Sequence, residues 1–233
     1  GKIVVYSAIL EQVTVKAQLQ SMLLRLVDGS LKTFGGSVKT KGEFDLKAPG
    51  LGYRSQGTVT AISAKEAFSV YFPKYKNTLE GVVDASWNLS GSAYPAASRL
   101  RLIKGTAKIL AKDGAVKSVD VQDSINSAMA KIPFLKNQKP LKVDNGFKTL
   151  TADLKIENGV VHAEPIEIQP RNQGFLVKGK STILESLEQD TYLDIFDPQG
   201  HLPKELRSSP GKPAIPLHIS GPLTSPKTDL DYT

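Results

Sequence analysis

The sequence contains no cysteine, a single tryptophan and only two methionines among its 233 residues. The lack of cysteine excludes disulfide bonds and thiolate metal sites, so packing and hydrogen bonds must hold the fold together. No run of eighteen consecutive apolar residues occurs, and the first residues lack the charged and then apolar layout of a signal peptide. We therefore expect a soluble segment that does not itself span a membrane.

The composition is that of a globular protein, with 40% hydrophobic and 23% charged residues. The length suits one extended β domain over residues 1–233, with repeat-like halves at about 1–94 and 95–233. The formal net charge is +7, but the lysines are spread along the chain without forming blocks. This distribution favours a solvated basic face and predicts no nucleic-acid binding.

Apolar and polar residues alternate along much of the chain, which places successive side chains on opposite faces of β-strands. In residues 36–47 the apolar positions include Val38, Phe44 and Leu46, with lysine or a carboxylate at most positions between them. The same period recurs in residues 13–19, 79–91, 150–156, 175–183 and 215–219. Strands with one apolar and one polar face are typical of an antiparallel sheet that is covered on one side only.

Three dipeptides favoured in tight hairpins separate the predicted strands: Asp28-Gly29, Asp113-Gly114 and Asn158-Gly159. About three short helices are also predicted. The first follows Ser63 as N-cap and ends before Pro73. The second lies over residues 95–105, and the third begins near residue 120 and ends before residue 133.

Residues 28–46 parallel residues 158–183, and each copy carries a glycine inside its second predicted strand, Gly42 and Gly179. A bulge or bend at such a glycine would curve the sheet. The pattern therefore predicts a mainly β fold, an antiparallel meander that repeats one unit.

Several segments resemble, in their order and spacing, the C-terminal region of AsmA-like proteins, relatives of TamB and of the bridge-like lipid-transfer proteins. These segments are the helix after Ser63 and residues 79–91, 105–116, 147–159 and 215–227. The resemblance implies an elongated, curved, taco-like or open-barrel-like sheet with an apolar concave face. It also implies a periplasmic location in a Gram-negative bacterium, with an N-terminal transmembrane helix, absent from this segment, tethering the protein to the inner membrane.

Members of this family are implicated in envelope integrity and in moving phospholipid between membranes, and the resemblance offers no catalytic residues. We therefore expect a protein that is not an enzyme, has no cofactor or metal, and binds phospholipid or another lipid. The predicted groove lining is Val38, Phe44, Leu46, Val83, Trp87, Leu89, Leu154, Ile156, Phe175 and Val177. Lys39, Lys41 and Lys178 are predicted at the rim, where they would steer phosphate head groups.

Alternation alone leaves a second interpretation open, because it shows that a face is buried without showing what buries it. The lining residues could pack against one another as the core of a sandwich or barrel, and the resemblance favours the trough. An alternative function is a scaffold that binds an outer-membrane assembly partner through its sheet edges.

Two further patterns are interpreted as structural. Residues 174–181 match the phosphate-binding P-loop letter for letter, but their Phe, Leu and Val are strand formers, whereas a P-loop needs a flexible turn before a helix. The three histidines, His162, His201 and His218, lack the close spacing of a metal pair.

Overall fold

The computed structural model describes residues 2–5, 7–76, 79–94, 101–117, 146–171, 175–184, 186–198, 200, 202, 212–223 and 225–230. These residues form thirteen strands in one sheet. The strands are β1 Lys2–Val5, β2 Ala8–Gln20, β3 Leu23–Thr33, β4 Gly36–Asp45, β5 Gly52–Ser63, β6 Leu79–Ser92, β7 Lys104–Val116, β8 Gly146–Glu157, β9 Val160–Pro170, β10 Leu176–Ile183, β11 Glu188–Phe196, β12 Ile215–Pro222 and β13 Lys227–Leu230.

Every strand pairs in antiparallel fashion with the strands before and after it along the chain, so that β1 and β13 form the two edges. The predicted mainly β, curved and open antiparallel meander is thereby confirmed. The alternating residues within each strand make this topology possible, because they supply one apolar side and one solvated side along the whole sheet.

The described residues contain one α-helix rather than about three. Helix α1 spans Ala64–Tyr71, with the Ser63 hydroxyl accepting a hydrogen bond from the Glu66 amide at 3.4 Å, as the capping pattern predicts. A 3-10 turn, Pro73–Tyr75, follows it. The prediction of a helix over residues 95–105 is wrong where it can be compared, because β7 already begins at Lys104. Its first residues, 95–100, and the whole helix predicted over 120–133 lie outside the described residues.

One of the three predicted hairpin turns is confirmed. Asn158 and Gly159 join β8 to β9 with φ of 54° and 78°. The other two dipeptides lie inside β3 and β7, next to breaks in strand register. The prediction of turns at these two dipeptides is wrong because a bulge can use the same positive φ as a tight turn. Asp113, with φ of 49°, is an example.

The bulges expected at Gly42 and Gly179 occur in the strands that pair with them. The register between β3 and β4 shifts between Leu26 and Gly29, where β3 supplies one extra residue opposite the strand that carries Gly42. The register between β9 and β10 shifts between Gly179 and Ser181, where β9 supplies the additional residue. Both repeats therefore place a glycine-bearing strand beside a bulged neighbour.

One face of the sheet, the apolar face, carries rows of apolar residues that run across the strands. Directly paired residues in antiparallel strands have their side chains on the same face. The central row contains Leu31, Val38, Val59, Ala85, Ile109, Ala152, Ile166, Gly179, Leu193 and Leu217. A second row contains Ile62, Val83, Ala111, Leu150, Ile168, Val177, Ile195 and Ile215.

The opposite face, the polar face, is stabilised by ion pairs between paired strands. Lys108 Nζ lies 2.8 Å from Asp153 Oδ2, and Arg25 Nε lies 3.0 Å from Glu43 Oε1. These side chains are substantially exposed, so each pair contributes roughly 0 to 1 kcal/mol. The apolar face therefore provides most of the burial.

Candidate functional site

The strand register places most of the predicted lining on the apolar face. Val38 lies in the central row and Val83 and Val177 lie in the second row. Trp87 is joined to Leu154 through Ala107, and Leu89 is joined to Ile156 through Gly105. Phe44 pairs with Leu24 and Tyr53 on the same face. Their role in binding a ligand stays a prediction.

Two predicted lining residues lie beyond the ends of their strands. Leu46 follows β4, and its amide donates a hydrogen bond to the Met22 carbonyl at 2.9 Å. Phe175 precedes β10 and is only 5% exposed, within the buried cluster at that end of the sheet. Phe175 is therefore a core residue in this structure.

Exposure of the apolar face changes along the sheet. On β2 the side chains of Val15 and Leu19 are each 64% exposed, and on β4 Phe44 is 38% exposed. Residues of this face on β6 to β8 are mostly half-buried. On β10 to β12 the face is closed by a cluster that comprises Phe175, Val177, Ile195, Leu202, Ile215 and Leu217. The surface is thus open toward β2 and filled by the protein's own side chains toward β12.

The indole of Trp87 lies across the neighbouring strand β5. Its Nε1 donates a hydrogen bond to Ser55 Oγ at 3.0 Å, which satisfies the only polar group of the ring. Its ring occupies the space that a side chain would take at Gly57, its paired residue. Tyr53 covers its own partner, Gly91, in the same way. Because these aromatic rings lie against the sheet, they project little from the apolar face.

The three lysines predicted at the rim lie on the polar face. Lys39 pairs with Thr58, Lys41 pairs with Gln56, and Lys178 pairs with Glu167 and Asp194, all at positions that alternate with the apolar face. This placement follows from the two-residue period of a strand, since Lys39 follows Val38 directly. The geometry therefore separates these lysines from the lining.

Sequence reasoning missed the lining supplied by the odd-numbered strands. Val59, Ile109, Ile166 and Leu193 complete the central row between the predicted residues. A register shift between Val59 and Ile62 interrupts the alternation in β5. Another, opposite Gly179 and Ser181, interrupts it in β9. A search for alternation that allows one inserted residue would have found these strands.

The clearest electrostatic feature is Asp84 on the polar face. The pKa of its carboxyl lies below the usual range because Lys112 donates a hydrogen bond to Oδ2 at 2.7 Å and the Ala61 amide donates to Oδ1 at 2.9 Å. Ala61 has φ of 56° and lies in the bulge of β5. Asp84 therefore links β7 to the irregular part of β5.

The P-loop match and the histidines were interpreted as structural from the sequence. The parts of them that lie within the described residues form strand structure or hydrogen bonds. Residues 176–181 of the P-loop match lie within strand β10, Leu176–Ile183, instead of in a phosphate-binding turn. His162 Nδ1 lies 3.3 Å from Thr182 Oγ1, and His218 Nε2 lies 2.5 Å from Asp190 Oδ1, while His201 lies outside the described residues. Within the described ranges no three His, Asp or Glu side chains are arranged to hold a metal ion, and no helix there could cross a bilayer.

A curved, open sheet of thirteen sequential strands with one mainly apolar face defines the class: an extended antiparallel β-sheet protein. The chain belongs to the AsmA family, whose model matches residues 1–166, from β1 into β9. Comparisons with curated proteins and with solved structures gave no significant match. Membership and the open sheet are consistent with an envelope-related role.

Proposed function

We propose that this chain binds the acyl chains of phospholipids on its apolar face. In this proposal it is the non-catalytic, periplasmic part of a protein tethered to the inner membrane, and it conducts lipid between the inner and outer membranes. The observation that carries the proposal is the central row over β3 to β9, which has no charged side chain and lies outside the closed cluster on β10 to β12. Membership of the AsmA family supports it.

Apolar contact alone can supply the required affinity. Full burial of one methylene contributes about 0.8 kcal/mol, so a chain of about sixteen methylenes that is half sheltered would gain roughly 6 kcal/mol. The half-buried residues of β4 to β8, such as Val38, Trp87 and Leu154, are the part of the face that could provide this shelter. The closed cluster on β10 to β12 would mark the end of the bound chain.

Photocrosslinking tests the proposal on the two faces separately. A benzophenone amino acid replaces Phe44, which is 38% exposed on the apolar face, and, as a control, Thr151, which is exposed on the polar face of β8. We expect crosslinks to phospholipid from position 44 and none from position 151 in Gram-negative cells. Equal crosslinking from both positions, or none from position 44, would contradict lipid binding on the apolar face.

A scaffold function is the second candidate, and it is favoured by the edge strand β1. Ile3 and Val4 on this strand are 50% and 68% exposed, on opposite faces. An exposed apolar edge can add a strand from a partner protein, here one of the outer-membrane assembly machinery. Native mass spectrometry separates the two functions, since bound phospholipid supports the groove, whereas a lipid-free complex with such a partner supports the scaffold.

A further inference from the structure

A depression of about 340 Å³ lies on the polar face over β3 to β6, on the opposite side of the sheet from the proposed lipid surface. This volume falls in the range of about 300 to 1,000 Å³ typical of small-molecule sites. The charged and amide residues of its lining are Arg25, Lys41, Glu43, Arg54, Gln56 and Asn88, and Leu26, Val27, Gly42 and Ser55 complete it. Nothing in the proposed function uses this depression.

The strand register brings these side chains together in two adjacent rows. Arg25, Glu43 and Arg54 are directly paired on β3, β4 and β5. The neighbouring row contains Lys41, Gln56 and Asn88 on β4, β5 and β6. Directly paired residues have their Cβ atoms about 4.5 to 5.5 Å apart, so all six side chains can reach one small ligand.

The depression has an excess of positive charge. Its three cations face one carboxylate, Glu43, which is occupied by Arg25 Nε at 3.0 Å. The remaining guanidinium donors of Arg25 are not needed for that bond. Over the described ranges, neither Lys41 nor Arg54 forms an ion pair. Two cations are therefore available to a ligand, with the amides of Gln56 and Asn88 beside them.

We propose that this depression is a binding site for a phosphate-bearing anion. Guanidinium groups match the geometry of phosphate oxygens, and ammonium groups provide a point charge that phosphate also accepts. The side-chain amides add neutral donors that a simple screening surface lacks. Of the three lysines predicted to steer head groups, Lys41 alone lines this site.

Titration of the full chain with inorganic phosphate at low ionic strength, followed by amide chemical shifts, tests the site. We expect saturable shifts around β3 to β6. Lys41→Gln and Arg54→Gln should each weaken binding by about tenfold, as the loss of a charge-assisted hydrogen bond would. Lys39→Gln is the matched control, because it removes the same charge from the same face of β4 but lies outside the depression.

A second arm identifies the source of the phosphate group. Vesicles of phosphatidylcholine with and without phosphatidylglycerol are sedimented with the native chain and the three variants. Binding to anionic vesicles that is lost in Lys41→Gln and Arg54→Gln supports a lipid head group, and binding of inorganic phosphate alone supports a free phosphate compound. An equal loss in Lys39→Gln, or no saturable binding of either probe, would overturn the proposal without affecting the test of the apolar face.

Discussion

The single tryptophan has a position that depends on the absence of a neighbouring side chain. Trp87 lies over Gly57, and its indole nitrogen is held by Ser55 on the same strand. Glycine weakens a strand because it is flexible. Here the ring of the paired residue, Trp87, covers Gly57. The arrangement therefore combines local stability with a flat apolar surface.

Gly57→Ala should displace the Trp87 ring, because the added methyl group would clash with the ring and with the Lys39 carbonyl oxygen. We expect a loss of about 1 to 3 kcal/mol in the free energy of unfolding, typical of overpacking. The emission of Trp87, the only tryptophan, should shift to longer wavelength. Gly52→Ala on the same strand is the control, since its nearest neighbour would be the Ala48 methyl at 3.8 Å. Equal effects of the two substitutions would show that backbone flexibility, and not the ring, decides the result.

Asp84→Asn should destabilise the protein at neutral pH, by about 1 kcal/mol for the weakened hydrogen bonds to a half-exposed carboxylate. The folded pKa of Asp84 is lowered, with the hydrogen bond from Lys112 as the largest cause and the Ala61 amide next. Its contribution is therefore present above the unfolded pKa and is lost as the pH falls through the lower folded pKa. Denaturation at a series of pH values should show the difference between Asp84→Asn and the native chain shrinking in acid.

Asp153→Asn serves as the comparison, because it removes an exposed ion pair with Lys108 but no backbone hydrogen bond. We expect Asp153→Asn to lower the free energy of unfolding by less than Asp84→Asn does. A larger cost at position 153 would show that the link to the β5 bulge contributes nothing.

At the scale of elements, local patterns predicted strands better than the connections between them. The alternation in residues 36–47 and 79–91 corresponds to β4, Gly36–Asp45, and β6, Leu79–Ser92. The hairpin at Ser21-Met22 was missed, although these residues have φ of 50° and 65°. This dipeptide contains no glycine, so the usual turn signal is absent.

The side of the sheet on which a residue lies can be deduced within a strand but not between strands. Lys39 must lie opposite Val38, and this alone excludes it from the apolar lining. In contrast, the pairing of Val38 with Val59 depends on a register that the local pattern does not contain. The rows that form the candidate site, and the depression on the polar face, therefore became visible only in the structure.

Ser63→Ala should destabilise α1, because the side chain of this N-cap accepts a hydrogen bond from the Glu66 amide. The bond is long, 3.4 Å, so we expect the low end of the usual effect, about 0.5 kcal/mol, in chemical denaturation. Ser69→Ala within the same helix is the control. Its hydroxyl donates to the Lys65 carbonyl at 2.7 Å, an interaction that slightly disfavours helices, so this variant should be neutral or more stable.

Across the whole molecule, stability should follow the gradient of burial. The cluster on β10 to β12 contains Ile195 at 0% and Leu217 at 2% exposure, whereas Val15 and Leu19 on β2 are each 64% exposed. Amide hydrogen exchange should therefore be slowest in β10 to β12 and fastest in β1 and β2. Uniform protection across all thirteen strands would show instead that the sheet opens as one cooperative unit.

The strictly sequential order of the strands also bears on how such a protein can change in size. Because each strand needs only its predecessor and successor, a hairpin could be gained or lost without rerouting any other part of the backbone. Each such event would alter the span across the sheet by about 10 Å, twice the spacing between hydrogen-bonded strands. The length of the sheet could thus change in steps of one hairpin, while the apolar face continued from each hairpin to the next.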